Sequence, residues 1–393
     1  MSGFRMVSRG VAFLKMAVLA RILTPAQFGI YGIATLVLAL LEILTETGIN
    51  VILIQSKNEI DEYNDSAWVV SIIRGIIISL CIIVSTPFIA SFFNTPKAVN
   101  ILLLISLVPF IRGFINPAEV KLQKDLKFHY EFWFRTSIFT FDAMVAVITV
   151  ILTHSVYSLV WGLIAGALLE VIISFTMIKP LPGFNVRKNY FNEIFHKGKW
   201  ITAYGVFSYI AENGDNLTVG KVMGASALGI YEMAYNISTL PISEISDVVS
   251  KVVFPVYTKM AEDKQRLKSA FAKSTLVISI LTLSMGLVLF MFPGQLIGFV
   301  LGNKWLSGVP VLRILAIYGV LRAISGPASA LFLAVEKQKY VTNMTFTRFA
   351  GLAITIYPLV KTFGLIGAGY SALISVIVEI PVIVFYVWKV FKI

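Results

Sequence analysis

The sequence has little cysteine, histidine or charge, and each shortage excludes something. Its one cysteine, Cys81, lies inside an apolar run, so an intrachain disulfide and a thiolate metal cluster are both ruled out. The three histidines (His129, His154 and His196) stand far apart and fit no metal-ligand spacing. Only 14% of the 393 residues are charged, against roughly a quarter in a soluble globular protein. A soluble chain of this length could not cover its surface with so few. Polar and apolar residues do not alternate along the apolar runs, so a transmembrane barrel is excluded as well. No catalytic constellation, metal site or cofactor motif emerges.

What is present is hydrocarbon. Hydrophobic residues make up 57% of the chain and the mean hydropathy is +0.83. A membrane span needs about 20 mostly apolar residues, and in lipid every backbone polar group must be satisfied internally, so such runs are helices. Twelve spans are predicted: 4–22, 28–47, 67–92, 98–117, 131–153, 156–178, 200–220, 228–256, 273–292, 308–334, 341–360 and 364–388. The fold class is therefore all-α integral membrane. The eighth span carries Pro241 and Pro255 and is open to kinking. Residues 1–16 hold Arg5, Arg9 and Lys15 with no apolar core, unlike a cleaved signal peptide.

Lysines and arginines exceed acids by 12, and their placement orients the chain. Even-numbered loops and the C-terminal tail hold most of them, including Lys121, Lys124 and Lys127, Arg187 to Lys199, and Lys259 to Lys273. By the positive-inside rule both termini are expected in the cytoplasm of a cell-membrane protein. The basic loops read as contacts with anionic lipid headgroups; they are too short and scattered for a nucleic-acid partner. The longest polar stretch, at mid-chain, has Phe191, Ile194 and Phe195 on a basic background, the pattern of a short interfacial helix. The expected organisation is an N-terminal lobe over 1–180, an amphipathic linker over 181–199 and a C-terminal lobe over 200–393.

The halves resemble each other. Gly29-Ile30-Tyr31 recurs as Gly229-Ile230-Tyr231, and Arg21 falls on Lys221 in the same register. Arg112 precedes Pro117 by five residues, as Arg322 precedes Pro327; Arg135 and Arg348 hold comparable places in spans five and eleven. Six spans per half make the repeats parallel, and two such lobes can rock about a central cavity.

Ionisable groups inside spans are costly and commonly face a protein interior or a wet cavity. Arg9, Lys15, Arg74, Arg112, Arg135, Arg322 and Arg348 are the candidate lining of a cationic cavity, with Arg112 and Arg322 foremost. An arginine fork suits a phosphate. Snorkelling to headgroups remains an alternative for Arg74, and an internal pair with Asp142 for Arg135. On span seven Tyr204, Ser208, Glu212 and Asp215 form one polar stripe. Asp215, with Glu212, is the candidate for coupling to a proton or Na⁺, the alternative being a fixed pair with Lys221. Glu170 and Glu379, near span ends, read as solvated.

The stretches Val18–Gly29, Glu46–Asn50, Leu53–Gln55, Ala67-Trp68, Ile73–Gly75 and Arg112–Pro117 resemble the oligosaccharide flippase branch of the multidrug/oligosaccharidyl-lipid/polysaccharide superfamily. In the second half the same holds for Gly214-Asp215, Val219–Lys221, Ala227–Tyr231, Phe254-Pro255 and Lys304-Trp305. Teichuronic-acid and colanic-acid type exporters look most similar. The resemblance implies two six-helix bundles opening as a V. It also implies movement of a polyprenyl-(pyro)phosphate-linked oligosaccharide from the inner to the outer leaflet, for cell-surface polysaccharide synthesis, by a monomer without cofactors. The competing readings are a cation or drug antiporter of the same superfamily and, less well supported by the short outer loops, a membrane glycan polymerase or acyltransferase.

Overall fold

The computed structural model describes residues 2–45, 60–185 and 188–392. Among the described residues the secondary structure is helical, and each predicted span but the fourth falls on helix where it is described. The first half holds α1 (Ser2–Ile22), α2 (Pro25–Leu44), α3 (Ile60–Phe92), α4 (Ala98–Ile105), α5 (Leu107–Arg112), α6 (Lys121–Lys124), α7 (Phe128–Thr153) and α8 (Tyr157–Met177). Next come α9 (Lys188–Met223), α10 (Ala225–Lys259), α11 (Lys264–Met291), α12 (Pro293–Val300), α13 (Val309–Ala334) and α14 (Gln338–Lys392). Among the described residues seven helices are long and apolar enough to cross a membrane, or eight with the bent α4–α6 segment counted as one span. The chain is a multi-pass membrane protein. The motifs within 46–55 lie outside the described residues.

Local chemistry fixes the helix ends. Thr24 caps α2: its side chain accepts from the Gln27 amide while the Gln27 side chain accepts from the Thr24 amide, and Pro25 takes the first turn. Such a reciprocal cap satisfies two of the amides a helix start leaves unpaired. Asp263 caps α11 from one side only, its side chain accepting from the Arg266 amide at 3.0 Å. Spans eleven and twelve form one element, α14, broken at Gly364, whose φ of 60° and ψ of −137° suit glycine alone. The segment expected as a separate interfacial helix is helical from Lys188 and runs on into α9 without a break. No proline interrupts 188–223.

The two repeated prolines behave differently. Span four, expected over 98–117, stops at Arg112, and the chain bends by 72° into the segment Pro117–Lys124. Pro117 opens a 3₁₀ turn capped by Asn116, whose side chain accepts from the Ala118 amide at 3.0 Å. Pro327, by contrast, sits inside an unbroken α13. Proline cannot donate to the carbonyl four residues back. Ser246 of α10 hydrogen-bonds that orphaned carbonyl of Ala323 instead, at 3.3 Å, so the helix continues at little cost in lipid. Pro241 and Pro255 likewise lie within α10, and α9 is continuous through Gly214.

The chain divides into two compact units. One holds Met1–Asn213 with Gly224–Ser226, the other Gly214–Met223 with Ala227–Ile393. The first is built on α7 against α8 and α1, and on α3 against the broken span; the second is built on α13 against α11 and α14.

Candidate functional site

In the first unit the break after Arg112 makes a polar centre. The turn that follows is held from two helices, α8 and α3. Asn116 donates to the carbonyls of Ser174, Ile178 and Pro180 at the end of α8, and its own amide donates to the Ser174 hydroxyl. Trp68 Nε1 donates to the Phe114 carbonyl at 3.0 Å. Two motifs far apart in sequence, Ala67-Trp68 and Arg112–Pro117, thus meet in space.

Arg112, in the last turn of α5, lies 3.5 Å from Glu42 and 3.8 Å from Glu170, and its side chain stays 40% exposed. Arg135 lies 3.6 Å from Glu119, 3.6 Å from Glu131 and 3.8 Å from Glu170. Glu131 also accepts from Gln123 at 2.7 Å. Arg74 donates to the Glu42 carbonyl at 2.7 Å and to the Thr45 hydroxyl at 3.2 Å, joining α3 to the end of α2. Its head is anchored within the protein.

Lys15 is spoken for differently. Its ammonium donates to both Asp142 carboxylate oxygens at 2.8 Å, with both side chains 14% exposed. The expected alternative of an Arg135–Asp142 pair does not form, because the two are two turns apart along α7 and each finds a partner on another element. Gly162 makes the room: a Cβ there would sit 2.4 Å from Asp142 Oδ1 and 2.7 Å from the Asp142 carbonyl oxygen. Arg9 lies on α1, and its side chain is outside the described residues.

In the second unit Asp215 is buried, 5% exposed. It accepts from Tyr231 Oη at 2.8 Å and from the Asn216 amide at 2.8 Å. Tyr231 belongs to the repeated Gly-Ile-Tyr motif. Its ring lies 6.2 Å from Tyr235, which lies 6.1 Å from Tyr318. Arg322 donates to Tyr318 Oη at 2.9 Å and to Tyr235 Oη at 3.2 Å. A row of tyrosines thus runs from the carboxylate to the guanidinium. Glu212 is exposed and Ser208 half-buried, while Asp215 is buried. Arg348 lies 3.6 Å from Glu379.

Glu170 and Glu379 correct the sequence reading. Both are buried, at 8% and 0% exposure, and neither is solvated. Glu170 lies near Arg112 and Arg135, and Glu379 lies 3.6 Å from Arg348. The internal repeat could have found them, since Glu170 and Glu379 stand 209 residues apart, almost the spacing of Arg112 and Arg322. Glu42, Glu119 and Glu131 were missed too. They fall inside or beside predicted spans, and only the fold brings them to the arginines. Among the described residues no group of three or more His, Cys, Asp or Glu could hold a metal ion. The arrangement can exchange one ionic partner for another: the arginine–carboxylate distances of 3.5–3.8 Å exceed the 2.7–2.9 Å of a tight charged hydrogen bond.

The comparisons with known proteins agree with this picture. The lipopolysaccharide biosynthesis protein WzxC of Escherichia coli (strain K12) is 25% identical over 83% of this chain and 66% of its own length. The teichuronic acid biosynthesis protein TuaB of Bacillus subtilis (strain 168) is 25% identical over 86% of this chain and 70% of its own. Two solved structures share the fold. The lipid II flippase MurJ in an inward closed conformation superposes with a TM-score of 0.77 at 15% identity, over 100% of this chain and 89% of that one. An inward-facing multidrug resistance MATE transporter of the MOP superfamily gives 0.73 at 15% identity, over 97% and 94%. The expected superfamily fold is therefore present. With the family profile described as polysaccharide biosynthesis protein matching residues 18–310, the chain belongs to that polysaccharide biosynthesis family.

Proposed function

We propose that the chain is a flippase. Its cargo is a polyprenyl-(pyro)phosphate-linked oligosaccharide, carried from the inner to the outer leaflet for cell-surface polysaccharide synthesis. It is a transporter, not an enzyme. In this reading twelve spans place both termini in the cytoplasm, and lobes 1–180 and 200–393, joined by the linker 181–199, alternate in access as a monomer. The supporting observation is the recurrence of Arg112 and Arg322 at the same register of the two halves, the first beside Glu42 and Glu170 and the second hydrogen-bonded to Tyr235 and Tyr318.

Arg112 and Arg322 are the phosphate contacts of this reading, with Arg9, Arg74, Arg135 and Arg348 as its further cations. The cargo phosphate takes the place of Glu42 and Glu170 at Arg112 and of the Tyr235 and Tyr318 hydroxyls at Arg322. Lys15, whose charge Asp142 takes up from 2.8 Å, braces α1. Asp215 is the coupling carboxylate for a proton or Na⁺, with Tyr231 as the donor that an arriving cation would release; Glu212, exposed three residues away, is the entry side.

The experiment is a flipping assay in proteoliposomes with a defined polyprenyl-pyrophosphate-linked glycan. Transport of the glycan lipid, lost in Arg112→Ala and Arg322→Ala, is expected. The likeness to the MATE transporter supports a second reading, a cation antiporter. Transport of a cationic dye with no effect on the glycan lipid would establish that one instead.

A further inference from the structure

Within the second unit an apolar groove of about 630 Å³ opens between the start of α11, the middle of α13 and the end of α14. That volume lies within the usual range for ligand sites of about 300–1,000 Å³. Its lining changes with depth. Lys268 and Lys392 stand at its rim, and the Lys392 ammonium sits 4.2 Å over the Trp388 ring, which also lines the groove. An indole under a cation is characteristic of the headgroup level of a membrane. Deeper, Ile324, Ile380 and Val384 present hydrocarbon. Between the two zones lies Thr275, seven residues or about 10 Å along α11 from Lys268. Its hydroxyl is buried and has no hydrogen-bond partner, a costly state in an apolar setting.

We propose that this groove binds an anionic glycerophospholipid: phosphate between Lys268 and Lys392, an ester carbonyl accepting from Thr275, and an acyl chain along Ile324, Ile380 and Val384. Charge selects an anionic headgroup. The unpaired hydroxyl selects an ester-linked lipid over a polyprenyl phosphate, which has no carbonyl between its phosphate and its hydrocarbon. None of these residues belongs to the arginine or tyrosine clusters, and the proposal does not rest on the flippase reading.

The test is native mass spectrometry of the purified full-length chain titrated with dioleoyl phosphatidylglycerol, dioleoyl phosphatidylcholine and a long-chain polyprenyl phosphate. A lysine near an anionic headgroup changes binding about fivefold. Phosphatidylglycerol is expected to bind more than tenfold more tightly than phosphatidylcholine, and K268A/K392A to abolish that preference. Thr275→Val, isosteric, is expected to weaken phosphatidylglycerol several-fold. Val384→Trp, at a position 60% exposed and so tolerant of bulk, is expected to block the groove in a folded chain. Equal retention of both phospholipids, or a preference indifferent to all three variants, overturns the proposal. So does tighter binding of the polyprenyl phosphate that Thr275→Val leaves unchanged, which would give the groove to the cargo's lipid.

Discussion

The Lys15–Asp142 pair offers the sharpest test of which cations are structural. Its two hydrogen bonds of 2.8 Å tie α1 to α7, and each partner is 14% exposed. Asp142→Leu leaves the Lys15 charge among helices, and Lys15→Met leaves a carboxylate there. Removing one partner of a buried pair costs about 3–5 kcal/mol, and an uncompensated charge in a span costs about 2.5–3.5 kcal/mol on insertion scales. The residual exposure favours the lower figure, so each single variant should lose about 3 kcal/mol. The neutral combination K15M/D142L leaves no charge behind and should return close to wild type, since apolar replacements of buried pairs are often neutral or stabilising. Unfolding by SDS titration in mixed micelles reads the free energies, and the cycle gives the coupling directly. Losses that simply add in the double variant would refute the pairing. The flipping assay adds a second axis: a stable K15M/D142L protein that no longer transports would move Lys15 from brace to cargo contact.

Arg112→Ala and Arg322→Ala should each cut transport at least tenfold in folded protein, with Lys rescuing only partly because it lacks the fork; normal transport by both Ala variants removes them from the phosphate site. Reporter fusions after Lys197 and after Lys268 should report cytoplasm, and an outside signal at either overturns the orientation. Asp215→Asn should leave a folded protein whose transport no longer responds to a pH or Na⁺ gradient; an unchanged response excludes Asp215 from coupling. Gly364→Ala should destabilise the second unit by about 1 kcal/mol or more through the positive φ alone, measured by the same SDS titration.

Much of the helical architecture was legible because lipid leaves a chain few options: apolar runs of about 20 residues become helices. The counter-ions were not. Asp142 lies 127 residues from Lys15, and no periodicity within one helix relates them. Glu170 and Glu379 were misread because distance from a span end is a poor guide to burial when a neighbouring helix covers that end. Pro117 and Pro327 look alike in sequence, yet one opens a bend and the other does not. The difference lies with Ser246, a residue of another helix that satisfies the Ala323 carbonyl.

The ion pairs that close within each unit have an electrical consequence. A charge crossing the full membrane field exchanges about 2.3 kcal/mol per 100 mV. Arg112 and Arg135 travel with Glu42, Glu119, Glu131 and Glu170, and Arg348 travels with Glu379. The first set counts two arginines against four glutamates, a formal charge of −2, and the second is neutral. Any motion that carries these sets as bodies therefore moves a net negative charge, not the positive charge of the bare arginines. In a flippase the return of the empty carrier would then give a capacitance signal of the sign of that residual charge, and the anionic cargo, whose outward passage an inside-negative potential favours, would add to it on the forward step.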